Sequence, residues 1–185
     1  MELLEQFKQN WSRIAGPDMN GRVLLAVSGG SDSMVMADLF IRAQIPMAIA
    51  HCNFSLRGTA SDEDENLVTS FAAKAKIPFH TVRFDTKQKM AEWKKGVQET
   101  ARILRYQWLE QVRQQHGYIL IATAHHANDN AETLLMHLFK GTGIAGLHGI
   151  PEQNGKLIRP LLFSGKSAIE NYATVHGVPY RDDAS

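Results

Sequence analysis

A single cysteine, Cys52, stands among 185 residues, so the chain can form no intramolecular disulfide and no Cys-x-x-Cys pair. Its simplest role is that of a small buried hydrophobe. No apolar run approaches the length that crosses a bilayer, and the N-terminal stretch MELLEQFKQNW carries acids where a secretory signal needs bases and an apolar core. A cytoplasmic protein without a membrane partner is the expectation. Charge of one sign is missing too: 20 Lys and Arg against 19 Asp and Glu leave a formal +1, so a nucleic-acid partner would have to be met by a local patch. Neither an internal repeat nor a low-complexity linker is present. What remains, 44% hydrophobic and 21% charged residues, is the composition of a globular chain able to bury one sizeable core.

Apolar runs alternate with amphipathic segments along that chain. Leu3, Leu4, Phe7, Trp11 and Ile14 recur at helical spacing and are closed by Gly16-Pro17. VLLAVS reads as a strand followed by a helix over about 33–43, and MAIAH as a strand followed by a loop and a helix opened by Ser61-Asp62-Glu63-Asp64. FHTVRF alternates like a strand; the charged stretch DTKQKMAEWKKG separates it from a helix over about 98–116, with Ala101, Leu104, Trp108 and Val112 on one face. YILIATA is the fourth strong strand, with a helix over about 129–140 behind it, and KLIRPLL and SAIENYATVHG supply one more strand and one more helix. This alternation predicts an α/β fold, a doubly wound, mostly parallel five-stranded sheet with helices on both faces.

Ligands of such sheets sit beyond the carboxyl ends of the strands. Four polar segments fall on that rim: SGGSDS, HCNFSLRG, the basic stretch after the third strand, and HHANDNAET. In the first, two glycines between a buried strand and a helix start let successive N–H groups converge, and the helix N-terminus adds its dipole; this is an anion seat. It lacks the lysine of the usual nucleotide loop and carries Asp32 instead. Asp129 and Glu132, three apart at a helix start, share a face and either complement the helix dipole or join Asp32 in a carboxylate group. Carboxylates beside a phosphate seat suit magnesium, which bridges acid and phosphate and would let Asp32 stand there. Zinc at His125-His126 is disfavoured, because strand neighbours point to opposite faces and no second pair lies at ligand spacing. Ser164 to Ile169, SGKSAI, imitates a lysine-containing phosphate loop, but Pro160 stands where that loop needs glycine, which leaves Lys166 a helix-start cation without an assigned partner. On the long helix Arg102, Arg105, Tyr106 and Leu109 form a second face; Glu99 with Arg102 reads most simply as a surface ion pair, and Arg105 beside an aromatic could instead reach a phosphate. Around Trp93, Lys87, Lys89, Lys94 and Lys95 form either a solvated loop or a site for RNA phosphates and a stacked base.

AVSGGSDSM resembles the PP-loop of the N-type ATP pyrophosphatases, which activate a carbonyl or carboxylate by adenylation and expel pyrophosphate. HCNFSLRG, ETARILRYQWL, ATAHHANDNAETLLMHLFKGTGIAGLHGI, IRPLL and the terminal YRDDAS are similar, in order, to the successive motifs of the tRNA(Ile)-lysidine synthetases. Phe54-Ser55 departs from the histidine and glycine more common in the second motif, and Asn128 from a common aspartate. The resemblance implies a ligase that adenylates the C2 carbonyl of the wobble cytidine in a tRNA(Ile) with a CAU anticodon, then joins C2 to the ε-amine of free L-lysine. It implies ATP and Mg2+ as cofactors, with Ser28, Gly29, Gly30, Ser31, Asp32 and Ser33 around the phosphates and Arg105 on the α-phosphate. Asp32 and Asp129 would hold magnesium, and Asp129 and Glu132 would serve the metal and the lysine amine. It also implies one domain over 1–185 that stops short of tRNA-gripping modules. The rivals are a 2-thiocytidine synthetase, which needs more cysteines than Cys52, an ATP-dependent amidating synthetase, and an ATP-binding module without chemistry.

Overall fold

Val23–Ala26 forms β1, and Val23, Leu24 and Leu25 are wholly buried, as a strand covered on both faces must be. In the computed structural model, which describes residues 2–16, 20–139 and 149–182, β1 lies between β2 (Met47–Asn53) and β4 (Leu120–Ala122), parallel to both. β3 (Phe79–Arg83) continues outward from β2, and β6 (Leu157–Ile158) from β4, again in parallel. β5 (Gln153–Asn154) returns antiparallel against β6, giving a six-stranded sheet in the order β3-β2-β1-β4-β6-β5. The expected parallel strands are all present. The sixth comes from a hairpin turned at Gly155, φ 59°, whose first strand is two exposed polar residues and so has no hydrophobic signal.

One face of the sheet carries α1 (Leu3–Ala15), α2 (Ser31–Arg42), α3 (Thr59–Lys74) and α7 (Lys166–His176), which bury Phe7, Phe40, Val68 and Ile169 against Val23, Leu25 and Ile49. Trp11 seals this side, its ring 5.0 Å from that of Phe40 and edge-on to it. α5 (Val97–His116) covers the opposite face with Leu109 and Val112 on Leu24, Ala48 and Ile121. Leu109, expected on the polar face of that helix, is thus in the core, since α5 turns a wider apolar stripe to the sheet than its Ala101 face alone. The winding direction reverses between β1 and β4, which makes the carboxyl ends of those two strands the switch point of the sheet.

Two further boundaries differ from the sequence expectation. α3 starts at Thr59, ahead of the acidic group, so Ser61 and Asp64 point inward: Ser61 Oγ accepts from the Arg57 N–H and Asp64 holds the Arg57 guanidinium at 2.7 Å. The basic stretch after β3 is a helix, α4 (Thr86–Trp93), capped by Asp85, which accepts from the Gln88 N–H, and ended by Lys94 in the left-handed region. α6 (Ala127–Phe139) follows β4 and starts two residues before Asp129. Pro17, Lys140 and the final Asp183-Ala184-Ser185 lie outside the described residues. Among the described residues no helix is long and apolar enough to cross a membrane.

Candidate active site

Beyond β1 the chain turns through Ser28, Gly29 and Gly30 into α2. Gly29 has φ 104°, outside the range of ordinary side chains, so a side chain there would be strained even though its Cβ would make only ordinary contact with Asp64 Cβ at 3.4 Å. Ser33 fastens the turn from inside: its buried hydroxyl accepts from the N–H groups of Ser28 (3.1 Å) and Gly29 (3.3 Å) and donates to the Gly30 carbonyl (3.0 Å). The Gly29 carbonyl accepts from the Arg181 N–H at 3.0 Å, which ties the C-terminal segment across the turn. Arg181 in turn holds Asp64 (3.0 Å) and Glu63. Of the six residues expected around an anion, Gly30, Ser31 and Asp32 therefore present the helix start, while Ser33 braces it and Gly29 supplies the bend. By position, the first N–H groups of α2 have no intrahelical acceptor, the requirement for an anion seat.

Lys166, 134 residues away in sequence, reaches over this seat from the first turn of α7. Its ammonium donates to Asp32 Oδ1 (2.7 Å) and Ser31 Oγ (2.9 Å), and its backbone N–H donates to Asn128 Oδ1 (3.0 Å), which latches α7 to the first turn of α6. Buried His126 lies beside the other Asp32 oxygen, Nε2 to Oδ2 3.6 Å, with Asp129 Oδ2 3.6 Å from its Nδ1. Asp129 also accepts from the His126 N–H at 2.8 Å, capping its own helix. Two carboxylates thus flank one imidazole, whose Nδ1 is buried without a hydrogen bond.

The opposite wall comes from β2, the residue after it, and α5. The Arg105 guanidinium lies over the Phe54 ring, 5.3 Å from its centroid, and Phe54 stacks on Phe84 at 5.6 Å. Between the walls opens a cleft of about 640 Å³ whose lining includes Gly30, Asp32, Cys52, Arg105, Asp129 and Lys166. His125 on its floor hydrogen-bonds Thr123 Oγ1 at 3.0 Å; burial, then the nearby charge of Arg159, push its imidazole below the ordinary value, so it is neutral at pH 7. Burial pushes the Cys52 thiol up to about 12, which leaves it protonated and a poor nucleophile.

The PP-loop domain family matches residues 3–185. The chain belongs to the PP-loop domain family. It is 44% identical over 97% of its length to the tRNA(Ile)-lysidine synthase of Chlorobaculum tepidum, and 40% identical over 88% to that of Parabacteroides distasonis. It spans only 55% and 37% of those two proteins. In fold it is similar to the U34-tRNA thiolase NcsA of Methanococcus maripaludis, solved with its [4Fe-4S] cluster (TM-score 0.80, 20% identity, 98% of this chain and 67% of that one). The NH3-dependent NAD synthetase of Campylobacter jejuni shares it too (TM-score 0.65, 16% identity, 95% and 72%).

The PP-loop of this chain collects Asp32, Arg105 and Asp129 on one cleft, but Glu132 is exposed on α6 and is not among the residues lining it. Lys166 is the functional candidate that sequence reasoning left unassigned, and the signal for it was the departure of SGKS from a phosphate loop at Pro160. Among the described residues no group of three His, Cys, Asp or Glu could hold a metal ion by itself. Magnesium needs less, because it binds through one or two carboxylates together with substrate phosphates. Asp32 and Asp129 both line the cleft, on the two nitrogens of the His126 imidazole. On α4 and the turn after it, Lys89 and Lys95 are paired with Glu92 and Glu99, and Lys87 and Lys94 make no ion pair among the described residues.

Proposed function

We propose that the chain carries the ATP-using centre of a tRNA(Ile)-lysidine synthetase, active on the wobble cytidine of a CAU anticodon with free L-lysine. The observation that carries this reading is the convergence of Lys166, Asp32 and Arg105 on one cleft at the PP-loop, supported by likeness to the lysidine synthases along nearly the whole chain. The C2 oxygen of cytosine attacks the α-phosphorus of ATP; the bond to the bridging oxygen breaks and pyrophosphate leaves. The lysine ε-amine then attacks C2, the C2–O bond breaks, and AMP departs with that oxygen.

Charge moves onto the leaving pyrophosphate in the first step, so fixed donors that need no reorganisation lower the barrier. The N-terminus of α2 and Lys166 supply them on one wall, and Arg105 on the other. Asp32 and Asp129 would hold magnesium, which when bound neutralises phosphate charge. In the second step a lysine ammonium must lose a proton before it can attack, and a carboxylate takes it. Asp129 lines the cleft, and Glu132, one turn on along α6, is exposed outside its lining and would act on the amine before it enters. Glu132→Gln keeps the shape and removes the charge, so lysidine formation should fall by about tenfold or more while pyrophosphate release falls little. Equal losses in the two steps would take the amine role from Glu132.

The docked tRNA offers phosphates to Lys87 and Lys94 on α4 and its C-terminal cap. Replacing both with Ala should lower the slope of log affinity against log salt by roughly 0.7 to 0.9 per contact, read by filter binding across a salt series. An unchanged slope would make this face a solvated helix only.

The function itself is tested by product analysis with ATP and magnesium. Pyrophosphate should appear only with tRNA(Ile), and AMP together with lysine-bearing tRNA only when lysine is added. Pyrophosphate without tRNA would favour a small-molecule synthetase, and ATP binding without any release a nucleotide-binding module. Sulfur transfer is disfavoured by the single, protonated Cys52.

A further inference from the structure

We infer that Phe54 is a positioning residue that holds Arg105 aimed into the cleft while leaving its charge unspent, an inference that rests on the reading of Arg105 as a phosphate ligand. Several arginines of this protein are fixed by acids: Arg42 by Asp38, Arg57 by Asp64, Arg83 by Glu65, Arg113 by Glu110. A carboxylate fixes a guanidinium but neutralises it and occupies its donors. Arg105 has no carboxylate within ion-pair distance among the described residues and lies on the Phe54 face, 5.3 Å from the centroid. An aromatic face attracts a cation through its quadrupole and takes none of its N–H donors. A stacked arginine is therefore both located and available, which is what a site awaiting a phosphate requires.

The shelf is built from three elements. Phe54 follows β2 and packs on Phe84, which follows β3, with the rings inclined by 24°. The Phe54 carbonyl accepts from the hydroxyl of Thr86 at 2.7 Å, and Thr86 is the buried first residue of α4. Ring and backbone of Phe54 are thus both anchored, so the guanidinium rests on a fixed surface. Arg105 comes from α5 on the far side of the rim, so no local sequence spacing announces the pair.

The test measures ATP affinity by calorimetry in magnesium, and pyrophosphate release, for Phe54→Leu, Phe54→His, Arg105→Ala and the double variant Phe54→Leu/Arg105→Ala. Leucine keeps the apolar volume and loses the π-face, so affinity and release should fall about threefold to thirtyfold. With Arg105 already removed, adding Phe54→Leu should change ATP affinity no further. Histidine keeps an aromatic ring that is neutral at pH 8 and becomes cationic below about pH 6.5, where it would repel the guanidinium. Phe54→His should therefore lose less than Phe54→Leu at pH 8 and lose at least a further threefold in affinity by about pH 5.5. Asp32, His125, Asp129, Glu170 and Asp182 on the same cleft are common to both proteins, so the difference between the two profiles is the readout. Wild-type affinity and release in Phe54→Leu, full additivity in the double variant, or parallel profiles for Phe54→His would each overturn the inference. An Arg105→Ala variant that binds and turns over ATP like the wild type would instead remove the phosphate role of Arg105 itself.

Discussion

Asp32→Ala is expected to abolish magnesium-dependent ATP turnover, by two to three orders of magnitude or more, while leaving the protein folded. Asp32 stands in the first turn of α2 and makes its contacts with Lys166 and His126 rather than with the core. As an acid at a helix N-terminus it contributes no more than about 1 kcal/mol, and as a partly exposed ion pair a similar amount. The melting temperature should therefore fall by no more than about 4–8 °C. Catalysis depends on it far more. On the proposed reading its carboxylate brings magnesium to the phosphates, and removing one preorganised electrostatic element from a reacting centre costs about 10²–10³ in rate. Asp32→Asn sharpens the comparison, because the amide keeps the shape and one acceptor oxygen yet cannot charge-balance Lys166 or a cation. Calorimetry of ATP with and without magnesium, alongside turnover, decides the matter. If both variants kept the metal dependence of the wild type, magnesium would not be held here.

What was legible in the sequence was local. Small residues between a buried strand and a helix announce the turn at Gly29 and Gly30, because strand, bend and helix start each have their own short-range signal. The presence of the parallel strands follows from the alternation of apolar and amphipathic runs, and Asp129 at the head of α6 from its place after β4. The partnerships across the cleft had no such signal. Lys166 meets Asp32 over a separation of 134 residues, and Arg181 reaches Asp64 over 117. Phe54, Phe84 and Arg105 gather from the ends of two strands and one helix only because the sheet places those ends together. α4 was hidden for a different reason: its lysines and acids carry no apolar period, and its stability rests on the Asp85 cap and on packing against α5. Ser33, expected around the phosphates from its position in the loop, lines the cleft, and its hydroxyl also accepts from two N–H groups of the turn, a bracing role that has no sequence signal of its own.

Lys166→Ala should pull two affinities in opposite directions. The Lys166 ammonium lies 2.7 Å from Asp32 and 2.9 Å from Ser31, the place a cation bound to Asp32 would take. Magnesium alone must displace it, so its removal should leave Asp32 more open to the metal and strengthen that weak binding. ATP behaves otherwise. When phosphates enter the seat they bring negative charge to the same ammonium, which can turn from the carboxylate to a phosphate oxygen without leaving the α2 N-terminus. A charge-assisted hydrogen bond of this kind contributes roughly 1.5–3 kcal/mol, so ATP affinity in saturating magnesium should fall by about tenfold to a hundredfold. Lys166→Arg should recover part of the loss, since its charge remains but its planar fork cannot sit as a point donor between Ser31 and Asp32. A structural latch would behave differently: the Lys166 N–H to Asn128 bond survives either substitution, so a purely architectural side chain would lower the melting temperature and leave both affinities unchanged. Titrating each variant with magnesium alone and then with ATP in magnesium separates the two roles, and parallel movement of the two affinities would rule out the exchange of Lys166 between Asp32 and phosphate.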